Sequence, residues 1–490
     1  MLNPITATTH LLGLLVLWPQ AASSQGVTKI PQPGGYGLLE CLAKPQSKLT
    51  SGVEIYPAGD VVTMELTGDY LRATGTVEGG LYLGYMMREG YTKILRTYKS
   101  TDGAASWQRL GDVARRDNRT GELHNATPLL LPVGFPGTTN SSDEDAPAQG
   151  GEQQQTQGRI LYAYRNHDRS LDNPNGIFDN YTYYRLTVSA SDDGGNTWSF
   201  LSDIEALPAN KGGAFLNGIW EPYLRIKSDN TTLQVFISLF MLILSSSYTK
   251  LAQVYYSAEN NATDQDTIMR ESKDGGKTWG KRNVVTGGDR IRSRDGMTSV
   301  ARLGPGNGRD GDNPNLILFF ETNESGRFDL RRVLSDDDGK TWRQETRARV
   351  YDPVDEERQA SAPSNIINVG GVLVAGFNTN EKSITDTAIP GNFLVVVSTD
   401  NGQTWSEGFL IAPGASWPGL YTLGDDRFLA TYSYDSPLGE LVAATRVFTL
   451  RTNGTVPPLA SNKSDSDRIT CGNWIAVFLG LATLHYFVHL

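Results

Sequence analysis

From Val61 onward the chain is written in short runs of Val, Ile, Leu, Tyr and Phe, each ending in a cluster of Gly, Asp or Asn. Leu81-Tyr-Leu-Gly-Tyr85 and Val372 to Phe377 are examples, and no stretch carries the apolar period of a long amphipathic helix. The pattern predicts an all-β protein. One turn sequence recurs: Ser191-Asp-Asp-Gly-Gly-Asn-Thr-Trp198 returns in outline at Ser100 to Trp107, Ser272 to Trp279, Ser335 to Trp342 and Ser398 to Trp405, about 60 to 90 residues apart. Each copy reads as a hairpin turn. Asp-Gly or Asn-Gly supplies the positive-φ positions, the aspartate can accept from the turn's own amides, and the tryptophan opens the next strand and packs inward. Repetition at this interval predicts four-stranded antiparallel sheets set radially in one closed domain, a β-propeller.

Four stretches break the pattern. Leu11 to Trp18 is apolar and is followed by Ala21-Ala-Ser-Ser24, the form of a secretory leader, although no Lys or Arg precedes it. Between Thr138 and Gln157 the chain turns to Ser, Asp, Glu, Gln and Gly, which predicts a disordered surface insertion over 138–157. Val235-Phe-Ile-Ser-Leu-Phe-Met-Leu-Ile-Leu244, continuing to Gln253, is too apolar for a surface loop and too short to span a bilayer. Removing Val235 to Gln253 joins Gln234 to Val254-Tyr-Tyr-Ser257 and restores a strand. Valine codons begin GT and one glutamine codon ends AG, so residues 235–253 have the form of an in-frame retained intron, with a genuine insertion as the alternative. At the far end, Ser461-Asn-Lys-Ser-Asp-Ser466 is small and polar, and Trp474 to Leu490 is apolar to the terminus. That order is the outline of a glycosylphosphatidylinositol (GPI) signal, with a plain tail anchor as the alternative. The expected organisation is a leader over 1–24, the propeller over 25–456, a polar linker over 457–473 and a hydrophobic tail over 474–490.

Composition adds exclusions. The 490 residues carry a net charge of −10 with no basic block, which sets nucleic acid aside and favours a neutral or weakly charged ligand. Two cysteines, Cys41 and Cys471, cannot make a disulfide scaffold, and no Cys/His spacing suggests a metal, so neither metal nor cofactor is expected. Nine Asn-x-Ser/Thr sequons, at Asn118, Asn125, Asn140, Asn180, Asn230, Asn261, Asn323, Asn453 and Asn462, suit a secreted or cell-surface glycoprotein. A monomer that meets the membrane only through its C-terminal anchor is expected.

Propeller active sites gather where inner strands end around the central channel, so the useful acids lie between the repeated turns. Glu221, in Gly218-Ile-Trp-Glu-Pro222, follows an apolar pair and precedes a proline, a setting that raises a carboxyl pKa and suits a general acid. Glu321 closes the apolar run Leu316-Ile-Leu-Phe-Phe-Glu321 and would sit at the end of a buried strand; for either glutamate a strand end on a solvated rim is the alternative. Arg165 and His167 are candidate donors to sugar hydroxyls, with a loop-holding salt bridge the alternative for the arginine. Arg294 with Asp295 either orders a turn or binds substrate, and Arg72 is functional or paired with a carboxylate. Trp220 and Trp417 are candidates for stacking on a sugar face, with a core role slightly favoured for Trp220. Glu259 is a candidate, but its neighbour Asn261 is a sequon, which favours a place at the rim or behind the contacting residues.

The turn spacing resembles the Asp-box of the sialidase-type β-propellers, in which the boxes lie away from the substrate. A more specific resemblance spans Val61 to Phe448. Arg165-Asn-His-Asp-Arg169, Trp220-Glu-Pro222, Tyr255-Tyr-Ser257 with Glu259, Asp264-Gln-Asp266, Arg294-Asp-Gly-Met297, Phe320-Glu-Thr322, Ser361-Ala-Pro363 and Trp417-Pro-Gly419 follow the order seen in glycoside hydrolase family 93. That resemblance implies a six-bladed all-β propeller and a secreted, retaining exo-α-1,5-L-arabinanase, releasing arabinobiose. It implies Glu221 as acid/base and Glu321 as nucleophile, and taking out 235–253 brings their separation closer to the family's. It also implies a tyrosine near the nucleophile, for which Tyr421 and Tyr432 are candidates. Two other readings remain. An exo-sialidase would need an arginine trio to clamp a carboxylate, for which Arg72, Arg165 and Arg294 are available, but Tyr70-Leu-Arg-Ala73 stands where an Arg-Ile-Pro signature is expected. A non-catalytic carbohydrate-binding propeller is the third, kept open by the unplaced tyrosine and by Ala104 in the glycine position of the first box.

Overall fold

The computed structural model describes residues 52–138, 158–170, 181–209, 217–228, 233–237, 255–261, 264–287, 291, 293–304, 315–353, 355, 357–381, 387–437 and 439–452. The expected leader, Cys41, Cys471, residues 139–157 and 238–253, the polar linker and the tail lie outside the described residues, as do Asn140, Asn180, Asn230, Asn453 and Asn462.

Every regular element among the described residues is a strand. After β1 (Val53–Pro57) comes an antiparallel meander of β2 (Val62–Gly75), β3 (Leu81–Glu89), β4 (Thr92–Ser100) and β5 (Gln108–Asp117). A second meander is β6 (Gly121–Leu130), β7 (Ile160–Arg169), β8 (Tyr181–Ser191) and β9 (Ser199–Pro208). The third group holds β10 (Trp220–Ile226), β11 (Leu233–Ile237), β12 (Tyr255–Asn261), β13 (Asp264–Ser272) and β14 (Asn283–Thr286). The fourth is β15 (Gly296–Arg302), β16 (Leu316–Thr322), β17 (Asp329–Ser335) and β18 (Arg343–Tyr351). The remainder is β19 (Ala360–Ser361), β20 (Ile366–Val369), β21 (Val372–Thr379), β22 (Gly391–Ser398), β23 (Phe409–Thr422), β24 (Arg427–Asp435) and β25 (Leu441–Thr452).

Hydrogen bonding runs continuously from β19 to β5 because two 14-residue strands each serve two sheets. The first half of β23 pairs with β22 and its second half with β24, and β2 likewise pairs first with β25 and then with β3. With β1 also on β25, the N-terminal strands complete a sheet begun by the last strands of the chain. Inner strands touch in cyclic order: β2 lies against β6, β6 against β10, β10 against β15, β15 against β20, β20 against β23, and β23 against β2.

The apolar residues fill the spaces between successive sheets. Leu95 and Tyr82 meet Leu123 and Tyr162, Leu161 and Leu186 meet Leu224 and Ile268, and Met269 meets Leu318 and Phe320. Phe319 and Ile317 then meet Leu373 and Phe377, Val395 meets Phe428 and Phe448, and Leu429 meets Leu83. Both faces of most strands are therefore buried, and runs such as Leu316–Phe320 read as continuous hydrophobics rather than as alternation.

All five boxes adopt one geometry. The serine hydroxyl donates to the aspartate at 2.7–2.9 Å and accepts from the amide four residues on at 2.8–2.9 Å. The aspartate in turn accepts from the backbone and hydroxyl of Ser106, Thr197, Thr278, Thr341 or Thr404. Partial burial pushes these carboxyls up, but the hydroxyl and amide donors outweigh it and hold all five below the usual range. Two of the box tryptophans tie sheets together: Trp107 donates to Thr445 at 3.2 Å and Trp279 to Ser202 at 3.0 Å. One expected modification site is corrected here. Asn125 is 2% exposed and held at φ 51°, so a glycan cannot be accommodated there in the folded chain.

Candidate active site

At the ends of the sheets opposite the boxes, the innermost strands are interrupted in a common way. A step of three residues faces a step of two: Asp69 to Arg72 against Met86 to Gly84, and His124 to Thr127 against Arg165 to Ala163. Trp220 to Tyr223 against Ser257 to Tyr255, Gly296 to Ser299 against Glu321 to Phe319, and Ser416 to Gly419 against Ser433 to Thr431 repeat it. Between β19 and β20 the break is wider, Ser361 pairing with Asn378 and Ile366 with Ala375. In every case one non-glycine residue takes left-handed φ: Tyr70 (58°), Asn125 (51°), Glu221 (45°), Met297 (51°), Ala362 (46°) and Trp417 (54°). Such a bulge bends the strand and re-aims a side chain, at on the order of 1–2 kcal/mol for each left-handed residue. Backbone strain of this kind concentrates at functional sites. Pro222, Pro363 and Pro418 follow the strained residue, at the point where the ladder is already broken and no amide donor is needed.

The bulges frame a pocket lined by Tyr70, Arg72, Thr127, Glu221, Pro222, Tyr223, Met297, Thr298, Ser299, Pro363, Ser364 and Asn365. Its wall is built from the left-handed residue and the one two positions later: Tyr70 and Arg72, Glu221 and Tyr223, Met297 and Ser299. Glu321 is not itself among the lining residues but lies beside them, on the strand paired with β15. Its backbone pairs with Gly296, beside Met297, and its carboxylate accepts the Ala362 amide at 2.7 Å, beside Pro363. Burial pushes the Glu321 carboxyl above its ordinary value, and the Ala362 N–H and the Arg294 guanidinium pull it back only in part.

Beside Glu221, on the wall of the same pocket, lies a residue that the sequence did not single out. Tyr70 is 5% exposed and packs with Met297 and Ala362, with Trp417 against the same cluster. Its ring centroid is 5.3 Å from that of His124 and 5.9 Å from that of Trp417, and the Arg72 guanidinium lies 4.1 Å over its face. Burial raises the Tyr70 pKa, Arg72 opposes this and the Glu221 charge adds to it, so the phenol stays protonated near neutrality. Arg72 is fixed by carbonyls, its Nη1 donating to Leu71 at 2.8 Å and Trp417 at 3.3 Å.

Solved structures share this architecture. An α-L-arabinofuranosidase of Fusarium graminearum in complex with an iminosugar inhibitor matches at 18% identity and TM-score 0.53, over 78% of this chain and 94% of that one. The glycoside hydrolase family 93 α-L-arabinofuranosidase of the same organism with arabinobiose matches at 17% identity and TM-score 0.52, with the same coverage. A Penicillium chrysogenum α-L-arabinanase complexed with arabinobiose matches at 16% identity and TM-score 0.52, over 82% of this chain and 98% of that one. The BNR/Asp-box repeat family matches residues 396–407, the last box. No curated protein sequence matches. The fold is that of the Asp-box propellers.

Within this propeller-like frame, several residues picked from the sequence are committed elsewhere. His167 is 0% exposed, enclosed by the rings of Tyr181, Tyr184 and Trp220, and accepts the Arg185 amide at 3.2 Å, so it is a core side chain and not a ligand donor. Burial holds it far below the usual histidine pKa. Trp220 belongs to the same cluster, with the Arg165 guanidinium 4.9 Å above its ring, and is packing rather than a sugar platform. Arg165 donates to Glu122 at 3.0 Å, the salt-bridge alternative. Glu122 also meets Lys93, Arg169 and Tyr181, and these cations outweigh burial to hold its carboxyl far below the ordinary range.

Asp295 is 0% exposed and bound by Nη1 and Nη2 of Arg347 at 2.8 and 2.9 Å and by the Ser293 hydroxyl at 2.8 Å, which leaves it a structural ion pair. Tyr432 is buried beside Phe393 and Tyr434, its pKa pushed by burial to about 12, and is core. Tyr421 packs against the apolar cluster joining β24 and β25 to β2 and β3 and does not line the pocket. Glu259 is placed by its backbone near the β12–β13 turn, opposite Gln265. Arg294 remains beside Glu321, its backbone amide donating to Asn323 at 2.9 Å and its side chain to Gln265 at 3.3 Å. Tyr70 could have been found only from its bulge, because nothing in Asp69-Tyr70-Leu71-Arg72 marks a strained position.

Proposed function

We propose that the chain is a six-bladed propeller of glycoside hydrolase family 93 type: a secreted or surface-anchored, retaining, exo-acting arabinanase that releases arabinobiose from α-1,5-L-arabinan. The observation that carries this reading is that Glu221 and Glu321 stand on neighbouring sheets at one strained mouth, with Tyr70, backed by Trp417, on the wall beside Glu221. The cyclic contact order of the inner strands supports the blade number. In the first step the Glu321 carboxylate bonds to the anomeric carbon as the glycosidic bond breaks, and the Glu221 carboxylic acid gives its proton to the departing oxygen. In the second, the Glu221 carboxylate takes a proton from water, whose oxygen displaces Glu321 and frees the sugar. Tyr70, as a protonated phenol beside Glu221, is placed to donate a hydrogen bond to that carboxylate or to the sugar.

The exchanged assignment, with Glu321 as acid/base, is the second reading, because burial raises the Glu321 carboxyl and a raised pKa suits the acid. A sialidase reading is less favoured. Arg165 is turned to Glu122 and Arg294 to Gln265, and of the three only Arg72 lines the pocket, which argues against a three-arginine clamp for a carboxylate. The test is hydrolysis of linear arabinan, a sialoside and an aryl arabinobioside, with product anomer followed by NMR and azide added to each Glu→Gln variant. Azide rescue with retention marks the acid/base variant, and rescue with inversion marks the nucleophile variant. Binding of arabinan without turnover by the parent protein would leave a carbohydrate-binding propeller in its place.

A further inference from the structure

β11 and β12 occupy one seat in the third sheet. Phe236 of β11 and Tyr255 of β12 both pair with Tyr223 of β10. Ile237 of β11 and Tyr256 of β12 both pair with Ile268 of β13. The offset is the same on both sides, 255 − 236 = 19 and 256 − 237 = 19. It equals the length of Val235 to Gln253, the stretch whose removal restores a strand sequence.

The span from Leu233 to Asn261 is 29 residues, and 29 − 19 leaves 10. The strands in the equivalent second position, β3 and β7, have 9 and 10 residues. A strand of ordinary length is thus present in two pieces, and the break falls in the interior of the sheet, between β10 and β13. Added residues are normally found at strand ends, where the ladder need not open. Here the junction lies against Tyr223, which lines the pocket two residues after Glu221.

We propose that residues 235–253 are an insert that splits one strand behind Glu221, and that the chain without them, 490 − 19 = 471 residues, carries the complete strand and the competent site. The half of this statement that concerns activity rests on the reading of the pocket as an arabinanase site; the half that concerns the strand does not. A shift of one residue in strand register turns every later side chain to the opposite face, so only one deletion length preserves both pairings.

The experiment compares the full chain with deletions of 235–253, of 238–256, and of 18 and 20 residues from the same start. The two 19-residue deletions are expected to unfold in one cooperative transition at least about 5 °C above the full chain, with the 18- and 20-residue deletions below them. Arabinan turnover is expected to be at least tenfold higher in the 19-residue deletions than in the full chain. A full chain as stable as both 19-residue deletions, or all deletion lengths behaving alike, overturns the proposal. Higher stability in the 19-residue deletions with no turnover of arabinan in any form upholds the strand assignment and removes the arabinanase reading instead.

Discussion

At the box ends of the sheets, left-handed backbone falls on Gly103 and Ala104, Gly194 and Gly195, Gly275 and Gly276, Asp338 and Gly339, and Asn401 and Gly402. At the mouth it falls on Tyr70, Asn125, Glu221, Met297, Ala362 and Trp417. All nine non-glycine residues with positive φ among the described residues belong to one set or the other. The box turns satisfy their own amides and hydroxyls, so the residue types are dictated locally and the sequence repeats. The bulges are held by pairing with the neighbouring strand, so the backbone repeats while the side chain is free to become a phenol, an amide, a carboxylate or an indole. The first arrangement fixes the shape of the molecule. The second lets each sheet present a different group to the pocket.

The comparison breaks first on turnover. Glu221→Gln and Glu321→Gln are expected to lower arabinan hydrolysis about 10²–10⁴-fold or more, with far-UV circular dichroism and cooperative unfolding retained. Near-parental rates in both would leave the mouth without a catalytic pair. Next in size is Glu122→Ala, at the mouth end of β6, which strips the partner from Arg165, Arg169 and Lys93 and is expected to cost about 3–5 kcal/mol in denaturant unfolding. At the opposite end, Asp274→Ala removes the acceptor for Ser272 and Thr278 and should cost about 1–3 kcal/mol while leaving kcat and KM unchanged. A box substitution that altered KM would erase the division between the two ends.

The smallest effects are pH-dependent and of opposite sign. The Glu122 carboxyl is depressed in the folded chain, so its stabilisation is present above the ordinary glutamate pKa of about 4.3 and is lost as pH falls toward the depressed value. Glu122→Gln should therefore flatten the acid limb of the stability curve. The Glu321 carboxyl is raised, so its stabilisation is complete below the unfolded pKa and is lost as pH rises through the folded one. Glu321→Gln is expected to raise the melting temperature slightly at pH 7, with the gain vanishing in acid. A uniform shift at all pH values would assign the change to packing.

The boxes and the all-strand character were legible because each follows from residues adjacent in the chain. Asp-Gly turns and apolar runs are local patterns. Glu221 and Glu321 could be named from strand-end context and family order, but their surroundings could not. His167 looked like a sugar ligand in Arg165-Asn-His-Asp-Arg169 and is sealed by aromatic rings from β8 and β10, and Asp295 looked paired with its neighbour Arg294 and is bound by Arg347 on β18. Sequence alone determined the repeating turn, because a turn's hydrogen bonds close within a few residues. Which side chains face the pocket was decided only by the tertiary structure, because a bulge is defined by the strand beside it and a buried charge by partners that the fold brings from other sheets.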